Sequence, residues 1–98
     1  MKKDFSPLHP GEVLLEEFIK PLGLSQHQLA LNMRVSPQKI NDIVRRKRAI
    51  TADTALRLSV ALGNSAEFWM GLQSDYDLEM ALDVLGDRLK KEVTPLLA

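Results

Sequence analysis

The chain has 98 residues, 45% of them apolar, and contains no cysteine. That is enough for one domain with a modest core, and it excludes both a disulfide framework and a thiolate metal site. Thirteen basic and thirteen acidic side chains cancel, and no apolar run approaches the ~18 residues of a membrane span. The opening MKKDFSPLHPGE has two lysines but no apolar stretch behind them, so it does not read as a secretory signal. A cysteine-free, signal-free chain is expected in the cytoplasm.

Helical caps divide the chain, and no strand alternation or internal repeat is seen. The first helix is expected from about Pro10 to Lys20, with Val13, Leu14, Phe18 and Ile19 inward; Pro21 and Gly23 end it. Ser25 opens the second as an N-cap, with Gln28 completing a capping box, and that helix carries Leu29, Ala30 and Met33 inward. Ser36 caps the third helix, and Pro37 takes the first helical position, where its missing N–H costs nothing. Thr51 caps the fourth, which should bury Ala55, Leu58 and Leu62 before Gly63 closes it in a left-handed conformation. Ser65 caps a fifth helix beginning Ala66-Glu67-Phe68-Trp69.

Beyond it, Leu78, Leu82, Leu85, Leu89, Val93 and Leu96 recur every three or four residues, a stripe on one helix face interrupted by Gly86 and closed near Pro95. An additional C-terminal amphipathic helix is therefore expected over about 77–94, on a core of about 8–76. The stripe can pack on its own domain or form a dimer interface through Leu78, Leu82, Leu85, Leu89 and Val93. The dimer is the preferred reading, because the first five helices already supply a core.

The stretch from Leu24 to Arg48, LSQHQLALNMRVSPQKINDIVRRKR, carries the chemistry. Two short helices flank a tight turn, the layout of a helix-turn-helix that lays its second helix in the DNA major groove. On a 100° wheel Ile40, Ile43 and Val44 gather on one side of the third helix. Gln38, Asn41, Asp42 and Arg45 gather on the other, with Lys39 on the flank. Gln and Asn pair with adenine N6 and N7, and Arg or Lys with guanine O6 and N7, so Gln38, Lys39, Asn41 and Arg45 are the candidate base readers. Asp42 is expected to pair with Arg45 or Arg46 on the helix surface, although a cytosine amino group is an alternative partner.

Charge is segregated along the chain. Residues 34–48 sum to +5, whereas residues 67–92 sum to −4, and a basic stripe suits a phosphate backbone. The candidate phosphate contacts are Ser25 and Gln26 at a helix N-terminus, Arg34 and Ser36 in the turn, and Arg46, Lys47, Arg48 and Thr51 after the third helix. The expected DNA partner is a pseudo-palindromic duplex, since such domains work in pairs.

Enzymatic readings find little support. His9 and His27 stand 18 residues apart with no carboxylate at a ligand spacing. Glu16 and Glu17, adjacent on a helix, point apart. The serines at 25, 36 and 65 are claimed by capping, and no glycine-rich phosphate loop is present. No cofactor or metal is expected. Phe68 and Trp69 read as core or dimer packing rather than a base-stacking platform.

Residues 26–45 resemble the phage-repressor-like, Xre-type helix-turn-helix family, with Ala30 as the small residue of the first helix and Leu29, Val35, Ile40 and Ile43 as apolar contacts. The resemblance implies an all-α, five-helix domain. Arg34 and Arg46 occupy positions commonly filled by glycine. A wider resemblance covers roughly residues 8–80. The runs HPGEVLLEEFIKPLGLSQHQLA and AITADTALRLSVALGNSAEFWMGLQSDYDL are similar to the HigA-type antitoxins of bacterial toxin–antitoxin modules. This implies a cytoplasmic homodimer that represses its own promoter and neutralises a HigB-type toxin, an mRNA-cleaving ribonuclease of the RelE kind. Two alternatives stay open: a stand-alone regulator without a toxin, and an interaction module with a vestigial helix-turn-helix. An acidic surface including Glu12, Glu16 and Glu17 is a candidate dock for a basic toxin.

Overall fold

The computed structural model describes residues 8–97; the start of the N-terminal segment, judged above not to be a signal, lies outside them. The described residues form five helices and no strand. Helix α1 begins at Pro10–Val13 and continues as a π-helical stretch, Leu14–Ile19. It is followed by α2 (Gln26–Met33), α3 (Pro37–Val44), α4 (Ala52–Leu62) and α5 (Ala66–Glu92).

Most boundaries follow the capping chemistry of the sequence. Ser25 Oγ accepts Gln28 N (2.9 Å), Ser36 Oγ accepts Lys39 N (3.1 Å), Thr51 Oγ1 accepts Thr54 N (3.4 Å) and Ser65 Oγ accepts Phe68 N (3.0 Å). Each satisfies one backbone donor that a helix start leaves open. Gly63 ends α4 with φ 78°. Half of the anticipated capping box is replaced, because Gln28 turns its amide up the helix to Asn32 Oδ1 (3.1 Å).

The first helix departs from a regular α-helix. Lys20 N reaches back five residues to Leu15 O (3.0 Å), the wider ring of a π-turn. The wider turn brings Leu14 and Ile19, five apart, onto the same buried face. Phe18 is left half-buried beside Trp69, with ring centroids 5.4 Å apart.

One core serves all five helices. Leu14, Ala30, Ile40, Ile43, Ala55, Leu58 and Trp69 are closed to solvent, while Phe18, Val44 and Leu62 flank it half-buried. Trp69 is core, its indole donating to Asn64 Oδ1 (2.8 Å); Phe68 remains 41% exposed.

The C-terminal helix expected as a separate element over 77–94 is instead the second half of α5. The helix runs unbroken for 27 residues from Ala66 to Glu92. Gly86 does not interrupt it, since a glycine inside a helix costs only ~1 kcal/mol relative to alanine and the nearby Leu85, Arg88 and Leu89 favour helix. The first half of α5 buries Trp69 and Gln73. In the second half Leu78, Leu82, Leu89 and Val93 are 42–67% exposed, and Leu85 is half-buried. The stripe therefore does not pack on its own domain.

Candidate nucleic-acid interface

Two residues in left-handed conformation set the angles of α2 and α3. Arg34 ends α2 with φ 58°, its N–H bonded to Leu31 O (3.2 Å), while Val35 N returns to Ala30 O (3.1 Å). Arg46, with φ 64°, turns the chain after α3 and donates its N–H to Ile43 O (3.0 Å). These are the two positions where glycine would be ordinary. A side chain in this region costs roughly 1–2 kcal/mol.

Helix α3 is amphipathic as the wheel requires. Ile40 and Ile43 are fully buried and fix its inner face. Gln38 and Arg45 are exposed; Lys39, Asn41 and Asp42 are half-buried. Asn41 Nδ2 donates to Gln26 Oε1 (3.2 Å), joining the start of α2 to the middle of α3. Gln38 Nε2 donates to Asp42 Oδ1 (2.7 Å).

The expected pairing of Asp42 with Arg45 or Arg46 is corrected. Its ionic partner is Arg48, whose Nη2 lies 3.4 Å from Asp42 Oδ2. Helix α3 ends at Val44, so Arg45 and Arg46 leave the helical rows, and the left-handed turn at Arg46 folds Arg48 back beside the helix. The Gln38 hydrogen bond, with Arg48 and Lys47 behind it, holds the Asp42 carboxyl below the usual carboxylate range.

Arg46 is directed to α1: its Nη1 donates to Glu12 Oε1 at 2.6 Å. The residues around Glu12 explain the HPGE run. His9 caps α1, its Nδ1 accepting Gly11 N (2.9 Å), and its ring meets Tyr76 of α5 edge to face at 4.7 Å. Burial, and then the Arg46 charge, push the His9 pKa below its ordinary 6.5. Gly11 lies against α3, where a Cβ would overlap the Ile43 carbonyl oxygen. The sequence marked this run as a helix start and as part of the HigA-type resemblance, but spacing alone carried no signal that it braces α3.

The hydroxyls and cations flanking α3 are largely open. Ser25, Arg34, Ser36, Arg46, Lys47, Arg48 and Thr51 are exposed and Gln26 is half-buried. Thr51 differs from expectation in one respect, since its Oγ1 also donates to Thr54 Oγ1 (3.2 Å) and so turns into the domain. A buried residue not singled out from sequence supports the loop after α3: Gln73 Oε1 accepts Ile50 N (2.7 Å), and Gln73 Nε2 donates to Asp77 Oδ1 (2.9 Å). Its amphipathic position on α5 was visible; its partner 23 residues earlier was not.

Among the described residues no group of three or more His, Asp or Glu side chains is placed to hold a metal ion, and no helix is long and apolar enough to cross a membrane.

Comparison with known proteins matches this geometry. A helix-turn-helix family model matches residues 15–69. Virulence-associated protein I of Dichelobacter nodosus is 54% identical over 80 residues, spanning 82% of this chain and 74% of that protein. Among solved structures, the Pseudomonas aeruginosa antitoxin HigA with higBA promoter superposes with TM-score 0.89 at 45% identity, covering 93% of this chain and 99% of that one. Antitoxin GraA in complex with its operator superposes with TM-score 0.90 at 41% identity, covering 100% and 99%. The chain belongs to the helix-turn-helix family of HigA-type antitoxins.

Proposed function

We propose that this protein is a cytoplasmic, non-enzymatic antitoxin that binds its own operator as a homodimer, represses its toxin–antitoxin promoter and neutralises an mRNA-cleaving HigB-type toxin. The carrying observation is the outer face of α3. Gln38 and Arg45 stand open, Asn41 is held to Gln26, and an exposed basic run follows. With α3 in the major groove, Gln38, Lys39, Asn41 and Arg45 reach base edges. The flanking Ser25, Gln26, Arg34, Ser36, Arg46, Lys47, Arg48 and Thr51 meet the backbone, which fixes register rather than sequence. The Ser25 and Ser36 side chains accept at the helix starts and keep an O–H to offer a phosphate.

The chain acts as one unit with its core over about 8–76. The stripe Leu78, Leu82, Leu85, Leu89 and Val93, exposed except for the half-buried Leu85, pairs two copies, whose recognition helices then address half-sites ~34 Å apart or a multiple of it. On the toxin side, Glu16 and Glu17 are exposed on α1, and Glu12 beside them is joined to Arg46. This acidic ridge is the proposed dock for a basic nuclease. Pull-down of the co-expressed toxin by wild type, but not by a variant with Glu12, Glu16 and Glu17 changed to alanine, supports the dock; full retention by the variant removes it. A small toxin-like reading frame beside the gene supports the antitoxin role, and its absence favours a stand-alone regulator. Gel shift on the protein's own upstream DNA tests the operator role directly.

A further inference from the structure

Gln38 and Asp42 lie one helical turn apart on the outer face of α3, joined by the short Gln38 Nε2 to Asp42 Oδ1 bond at 2.7 Å. A carboxylate has no hydrogen to give, so the amide NH2 must be the end that faces it. The two ends of a glutamine amide are ordinarily interchangeable by a half-turn, and which end points outward decides what the residue recognises. Here the half-turn would set the Gln38 carbonyl oxygen against the Asp42 oxygen. Asp42 is itself held from its far side by Arg48 Nη2 at 3.4 Å. Its carboxyl is held below the usual range, so it remains an acceptor throughout the neutral pH range.

Resting on the reading of α3 as the recognition helix, we infer that Asp42 is a specificity-determining positioning residue. It touches no base but locks the Gln38 amide with Oε1 directed away from itself, toward the groove. A leading oxygen selects a base that presents an amino group in the major groove. Adenine fits best, because Oε1 accepts from N6 while the second N–H of Nε2 can reach N7. Cytosine, with its N4 amino group, comes second. Guanine and thymine present a keto oxygen at that point and would set two acceptors against each other. In this arrangement Asp42 spends its two oxygens on Gln38 and Arg48 and acts on the base through Gln38.

The test is selection of duplexes with a randomised half-site by the full-length wild type, D42N and Q38A proteins, with circular dichroism melts of each. Wild type should prefer adenine, then cytosine, over guanine and thymine at one position by about tenfold or more. Q38A should lose that preference at the same position. D42N, whose side chain both donates and accepts, should let the Gln38 amide turn over and reduce the preference to about twofold or less. Its preferences at other positions, its melting and its binding to non-cognate DNA should be undiminished; a purely structural role would weaken all sequences alike. The inference is overturned if the position relaxed in Q38A prefers guanine or thymine in the wild type, if D42N keeps the wild-type preference, or if D42N weakens all duplexes equally. A wild-type selection with no sequence preference removes the recognition-helix reading and this inference with it.

Discussion

Arg34 and Arg46 carry positive φ at 58° and 64° where a Cβ is unfavourable, and both add charge next to the recognition helix. Retention of arginine at such positions is accounted for if the guanidinium contributes to binding what the backbone loses in stability. Arg34→Gly should therefore raise unfolding free energy by about 0.5–1 kcal/mol in a urea titration while lowering DNA affinity; an unchanged midpoint would show that no strain resides there. Both positions were legible in the sequence, because the arginines replace expected glycines at fixed places in a recognisable motif. The opposite substitution, Gly11→Ala, drives a Cβ into the Ile43 carbonyl and should cost about 1–3 kcal/mol, measurable as a lowered melting temperature. That contact was not legible, since a glycine after His-Pro looks like an ordinary helix start.

His9 gives a pH dependence with a definite sign. Its folded pKa lies below the ordinary 6.5 because burial and then Arg46 disfavour the charged ring, against Glu12 and Asp77, which favour it. The unfolded chain therefore takes up the proton first. The His9 contribution is complete above about 6.5 and is lost as pH falls toward the folded value. Denaturation midpoints should decline between pH 7 and pH 5, and His9→Asn should flatten that decline.

Among the elements, α2, α3 and α4 follow from their caps and buried faces, which are local properties of the sequence. The two departures are longer in range. No residue type marks the π-turn of α1, which is set by where α1 must pack. The break expected before residue 77 rested on the change from a core-facing pattern to a leucine stripe. That change is real, but it marks where α5 leaves the domain rather than where a helix ends. Gln73 sits just before that point and couples α5 to the loop following α3 through Ile50 N. Gln73→Met keeps the bulk but leaves a buried N–H unpaired. It should destabilise by about 1–3 kcal/mol, with the Ile50 amide losing protection in hydrogen exchange.

At the scale of the molecule, α5 gives an elongated body, 51 × 31 × 22 Å, with its apolar stripe exposed and its basic surface concentrated after α3. A continuous apolar stripe left open to solvent is the mark of an interaction surface. Leu82→Asp combined with Leu89→Asp should shift the protein to a monomer in light scattering and reduce operator affinity by at least about tenfold, because the second half-site then binds without linkage to the first. A variant that stays dimeric would move the interface elsewhere. The balanced total charge concealed the polyanion-binding face from composition alone, and only the local sums along the chain disclosed it.

The central claim is that α3 and the basic run after it hold operator DNA. Its most direct test is the salt dependence of binding to the protein's own upstream duplex, by fluorescence anisotropy, for wild type and for the variant with Arg46, Lys47 and Arg48 changed to alanine. Wild type should lose affinity linearly on a log–log plot against salt. The variant's slope should be shallower by roughly two to three, at about 0.9 per phosphate contact removed, with binding to all sequences weakened alike. Wild-type binding that ignores salt, or a variant with an unchanged slope, would contradict the account.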